Sequence, residues 1–67
     1  MTTLWREISK ALSANNLVTI HVVGGDSFTI ERAGLNTDTQ MIMARDQAGR
    51  VYIADPHQVT FIEVTHQ

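Results

Sequence analysis

Between Thr3 and Ala14 apolar side chains recur at helical spacing. Leu4, Trp5, Ile8, Ala11 and Leu12 fall on one stripe, while Arg6, Glu7, Ser9, Lys10 and Ser13 lie largely on the other side. This spacing predicts an amphipathic helix over about residues 3–14. Thr2 or Thr3 can cap its start, and Asn15-Asn16 suits a left-handed exit. So short a helix is marginal on its own in water, so the stripe must dock on another surface.

From Leu17 onward the period changes to two. Val18, Ile20 and Val22 share one face of a first strand, with His21 on the opposite face. Gly24-Gly25-Asp26 reads as a tight turn. In a second strand, Ser27 to Arg32, Phe28 and Ile30 point inward. Ala33 to Asp38 reads as a loop. Thr39 to Arg45 reads as a third strand whose Met41 and Met43 are expected in the core. Asp46-Gln47-Ala48-Gly49 reads as a hairpin turn leading to a fourth strand, Arg50 to Ala54. Asp55-Pro56-His57-Gln58 interrupts the pattern, because proline cannot donate to a ladder. Val59 to Thr65 is the fifth strand.

Neither a linker nor a repeat divides this order, so residues 1–67 are expected to form one domain with a helix at about 3–14 and five strands at about 17–65. The predicted class is mainly β with one N-terminal α-helix. Strands this short favour a small, strongly bent five-stranded barrel of Sm-like or SH3-like type, with an OB-like barrel as the alternative.

Composition narrows the picture. The chain is 43% hydrophobic and 18% charged, a globular balance, and it contains no cysteine. Disulfides and cysteine-based zinc sites are therefore excluded. A core this small roughly cancels the entropy of ordering the chain, so burial against another copy is a natural supplement. The charged amphipathic start is unlike a secretory signal, and the apolar runs are far shorter than the ~20 residues that span a bilayer. These features lead us to expect a cytoplasmic chain without a membrane role.

Five basic residues are scattered among seven acidic ones, giving a formal net charge of −2. Nucleic-acid binders usually carry a basic excess, because phosphate neutralisation supplies much of their affinity. Asn36, Thr37 and Gln40 offer polar groups that can read a base edge or a small ligand, or simply be solvated loop residues, and Tyr52 can stack a nucleotide or serve at an interface. The Asp55–His57 pair can serve as a contact, or simply as a turn in which the aspartate caps local backbone. Trp5 can anchor a partner but more commonly packs in such a stripe. The three histidines lack metal-ligand spacing, Gly24-Gly25-Asp26 lacks the lysine and following helix of a phosphate loop, and Asp46 to Gly49 lacks the spaced ligands of a calcium loop. No nucleophile–base or carboxylate pair can be placed, so neither enzymatic activity nor a metal or other cofactor is expected.

The order of helix, five strands and a one-turn break before the last strand resembles the Sm-like family, in particular its bacterial Hfq-type branch. Val18-Thr19-Ile20-His21-Val22-Val23-Gly24-Gly25 is similar to the family's first motif, with Gly25 in the place of its turn glycine. His57-Gln58-Val59-Thr60 stands where the family carries a histidine, a small residue, an aliphatic one and a hydroxyl residue. Asp38 matches a loop aspartate before the third strand. The family's tyrosine and lysine before the histidine are replaced by Asp55 and Pro56, its stacking aromatic by Gln40, and its uracil-reading glutamine by Leu4. Its basic rim is replaced by Leu12-Ser13-Ala14-Asn15, and the second strand lacks its central glycine.

The resemblance implies a homo-oligomeric ring in which the fourth strand of one copy pairs with the fifth of the next. Val51, Ile53, Val59 and Phe61 would then lie at the subunit interface. It also implies RNA or single-stranded nucleic acid as a ligand, with Asn36, Asp38, Gln40, Tyr52 and His57 as candidate contacts. The alternative expectation is a protein-interaction or structural module with no nucleic-acid role.

Overall fold

The computed structural model describes residues 2–67. Its elements, in order, are α1 (Thr2–Ser13), β1 (Leu17–Val22), β2 (Ser27–Ile30), β3 (Arg32–Leu35), β4 (Ile42–Arg45), β5 (Val51–Ala54), a 3₁₀ turn (Pro56–Gln58) and β6 (Val59–Thr65). The class is mainly β with one N-terminal helix, as the periodicity predicts. The described strands form two three-stranded antiparallel sheets ordered β2-β1-β6 and β3-β4-β5. No ladder joins β5 to β6 among the described residues, so the barrel is not closed.

The helix stripe docks on β1 and β3. Ile8 and Ala11 bury with Val18, Ile20, Ile30, Ile42 and Ala44, and Leu4, Trp5 and Leu12 pack around that cluster. Trp5 is thus half-buried against the core. The helix ends as its two asparagines suggest. Asn15 adopts φ 63°, its N–H bonds the Leu12 carbonyl at 3.0 Å, and the Asn16 N–H reaches the Ala11 carbonyl at 3.2 Å. This pair of bonds around a left-handed residue satisfies carbonyls that the last turn leaves free. Thr3 lies inside the helix rather than capping it, and the Thr2 side chain lies outside the described residues.

Three strand boundaries differ from the sequence expectation. The second strand is broken at Glu31, whose N–H donates to the Arg45 carbonyl at 2.9 Å and so joins the two sheets. Arg32–Leu35, of which Arg32 is expected to end the second strand and Ala33–Leu35 to lie in a loop, forms β3 because it finds a partner in β4, with Ala33 opposite Ala44 and Leu35 opposite Ile42. The third expected strand is shortened to Ile42–Arg45, because Thr39 and Gln40 are drawn into the preceding turn, with Gln40 at φ 63°.

Cross-strand partners share a face of the sheet. On β3-β4-β5 the inner face carries Ala33, Ala44 and Tyr52, then Leu35, Ile42 and Ala54. The outer face carries Arg32, Arg45 and Val51, then Gly34, Met43 and Ile53. Met43 therefore points outward, 46% exposed, rather than into the core; Met41 precedes β4 and is half-buried.

Candidate functional site

Asn36, Asp38 and Gln40 share one tight turn between β3 and β4. Asn36 Oδ1 accepts the N–H groups of Asp38 at 2.9 Å and Thr39 at 3.2 Å. The Gln40 N–H donates to the Asn36 carbonyl at 2.7 Å, and its Nε2 donates to the Thr37 carbonyl at 2.8 Å. An asparagine that captures backbone two and three residues ahead is a turn former. Asn36 Oδ1 and Gln40 Nε2 are thus occupied in shaping the loop, while Asp38 is exposed and its carboxylate makes no hydrogen bond among the described residues.

Tyr52 belongs to a different assembly. Its ring stacks on Phe28, with centroids 4.5 Å apart, and its hydroxyl donates to Asp46 Oδ2 at 2.9 Å. The other carboxylate oxygen of Asp46 accepts the N–H groups of Ala48 and Arg50, both at 2.9 Å. Partial burial opposes ionisation of Asp46. The hydrogen bonds from Arg50, Tyr52 and Ala48, with the nearby Arg50 charge, outweigh it and hold the carboxyl below its ordinary range. This clasp ties the 46–50 hairpin to the inner face of the sheet, and the ring that sequence reasoning offered as a stacking platform already has a stacking partner.

His57 stands in the 3₁₀ turn between β5 and β6. Asp55 Oδ1 accepts the His57 N–H at 2.9 Å, and His57 Nδ1 lies 3.2 Å from the same oxygen. Asp55 therefore caps the turn, which matches the plainer of the two readings of this motif. None of the hydrogen bonds among the described residues links the Asn36–Gln40 turn, Tyr52 and His57 to one another.

Of the expected interface residues, Val51, Ile53 and Phe61 are exposed at 55%, 64% and 54%, whereas Val59 is half-buried against the core. Val51 and Ile53 have edge-directed backbone. The Asp46 N–H bonds the Arg50 carbonyl at 3.0 Å, so the alternation of an antiparallel ladder makes Arg45·Val51 and Met43·Ile53 non-hydrogen-bonded pairs. The N–H groups of Val51 and Ile53 accordingly point away from β4.

Two groupings escaped sequence reasoning. On the outer face of β2-β1-β6, His21 stacks on Phe61 with centroids 4.1 Å apart, and its Nε2 meets Glu63 Oε1. Only alternation on β1 and β6 hinted at this, and their mutual register is not readable from either strand alone. The second grouping sets Arg32 opposite Arg45, which becomes visible only once β3 is recognised as a strand.

No protein-family model matches the chain, nor does any curated protein. A solved crystal structure is similar. It is a Northeast Structural Genomics Consortium target with a TM-score of 0.65 at 21% identity, over 78% of this chain and 95% of that one. That likeness concerns the fold alone. Among the described residues, no helix is long and apolar enough to cross a membrane, and no group of three or more His, Cys, Asp or Glu side chains is placed to hold a metal ion.

Proposed function

We propose that this chain is a non-enzymatic Sm-like module, a strongly bent barrel that assembles with copies of itself into a ring by pairing β5 of one copy with β6 of the next. The observation that carries this reading is the state of the two sheet ends. β5 and β6 each terminate a sheet, and the β5 edge presents the free N–H groups of Val51 and Ile53 beside exposed apolar side chains. An edge of this kind invites another strand unless it is blunted by charge, proline or a bulge. β5 contains neither proline nor charge. β6 exposes Phe61 and Val64, so apolar contact can accompany the backbone pairing. A head-to-tail contact repeated by rotation closes into a ring. The unclosed seam between β5 and β6 within one chain supports the same reading, since each strand can find its neighbour in another copy.

Light scattering coupled to size exclusion tests this proposal. The expected mass is a multiple of the chain in the range of a pentamer to a heptamer, and a monomer at micromolar concentration overturns it. Ile53→Pro removes an edge donor without touching the β4 ladder, so a folded but dissociated protein is expected. RNA is proposed as the ligand of that ring through the exposed groups of Asp38 and His57, and binding of U-rich or A-rich oligonucleotides at low salt tests it. Negligible affinity for both removes RNA from the proposal and leaves the assembly.

A further inference from the structure

The outer face of β3-β4-β5 carries a cationic pair, Arg32 and Arg45, that the assembly of strand edges does not use. Arg32 and Arg45 are direct cross-strand partners, and like charges in that position destabilise a sheet. Among the described residues no carboxylate oxygen lies within 4.0 Å of either guanidinium. The next positions on the same face are Val51, Met43 and Ile53, exposed at 55%, 46% and 64%. Gly34 completes the face opposite Met43. Its backbone does not require glycine, and a Cβ there would meet nothing within 4 Å. Arg32, Ala33, Met43, Ala44, Arg45 and Val51 line a shallow open depression of about 320 Å³.

We propose that this face docks an acidic, apolar peptide segment of a partner protein. Charge complementarity selects the occupant. A guanidinium pair held side by side matches carboxylates, through charge-assisted hydrogen bonds, better than any neutral group. The apolar row beside it accepts aliphatic side chains spaced along the same segment. A nucleic acid fits less well, because the six outward positions on these strands include no aromatic on which a base could stack. The chain's net charge of −2 also works against a polyanion that must approach the whole protein, while a short segment meets only the local arginines. Arg32 and Arg45 lie on β3 and β4, away from the β5 edge that the ring would use, while Val51 and Ile53 border both surfaces.

Fluorescence anisotropy on the full chain tests this with three labelled probes: a short alternating Glu-Val peptide, its Lys-Val counterpart, and a U-rich oligoribonucleotide. The Glu-Val peptide is expected to bind at low salt and to weaken as salt rises, and the Lys-Val peptide is expected not to bind. Arg45→Glu should weaken the Glu-Val complex by at least about tenfold, the effect of losing one charge-assisted contact and adding a repulsion. Gly34→Val, which adds bulk to the face beside the arginine pair without reversing charge, should weaken it as well. Circular dichroism checks that each variant is folded, and Arg32→Ser replaces Arg45→Glu if the latter is not. Light scattering should give both variants the wild-type mass, which separates failure of this proposal from failure of the ring. The proposal is overturned if the Glu-Val peptide does not bind, if it binds equally to the arginine variants, or if the oligonucleotide binds more tightly through the same arginines.

Discussion

Replacing Ile20 with alanine should remove a large part of the protein's stability. Ile20 is fully buried on β1, the central strand of its sheet, and faces Phe28 on β2 and Ile62 on β6. The β2 ladder keeps one register past Ile20, and the β6 ladder does so from Leu17 to His21 before its register shifts at Val22, so the space left by the missing carbons cannot close without shifting backbone. Truncations of this kind cost about 2–5 kcal/mol, and restraint on both sides places Ile20→Ala at about 3–4 kcal/mol. A chain of this length carries about 3–10 kcal/mol in total, so the variant should be marginal. Ile20→Val, which leaves most of the side chain, should lose only about 1 kcal/mol. Urea titration followed by the fluorescence of Trp5, the single tryptophan, reads both variants against wild type. A loss below about 1 kcal/mol for alanine, with an unchanged denaturant slope, would refute the claim that β1 is clamped between two fixed strands. Repeating the titration at several protein concentrations adds a second reading, because a midpoint that rises with concentration reports stabilisation by assembly.

Two further substitutions probe the turns. Asn15→Val should destabilise by about 1–2 kcal/mol because a β-branched residue resists the left-handed backbone at φ 63°, whereas Asn15→Gly should be tolerated; equal midpoints in urea would contradict this. Asp46 is held below its ordinary range, so its carboxylate contributes fully above the unfolded-state range and loses that contribution as pH falls through the lowered folded value. The stability gap between wild type and Asp46→Asn should therefore narrow in acid, and parallel urea midpoints across pH would rule the clasp out.

The elements whose side chains obey one clear period were legible in the sequence. The α1 stripe and the Val18-Ile20-Val22 alternation each announce a buried face, and burial is what their positions supply. β3 was hidden because Arg32-Ala33-Gly34-Leu35 combines a glycine with a small residue, and only the β4 ladder makes it a strand. Thr39 and Gln40 misled in the opposite direction. Their composition continues a strand pattern, but the Asn36 side chain takes the local backbone first. Met43 was misplaced for a related reason: alternation fixes which residues share a face, and the partner strand decides which face is covered. The candidate RNA residues were legible as polar loop positions, while the bonds that occupy Asn36, Gln40 and Tyr52 depend on turn geometry that composition does not encode.

The antiparallel pairing of β1 with β6 has a consequence for how the chain reaches this structure. Leu17 faces Thr65 across that ladder, so the sheet at the heart of the fold is completed by a strand from far along the sequence. The β3-β4-β5 meander needs only neighbouring hairpins and can form soon after its residues emerge from the ribosome. β1 must instead keep one side open until β6 is synthesised, and closing so long a loop is slow. During that interval Val18 and Ile20 depend on β2 and the helix stripe for cover. Mutations that weaken α1 docking should therefore lower the yield of folded protein during synthesis more than their equilibrium cost alone implies.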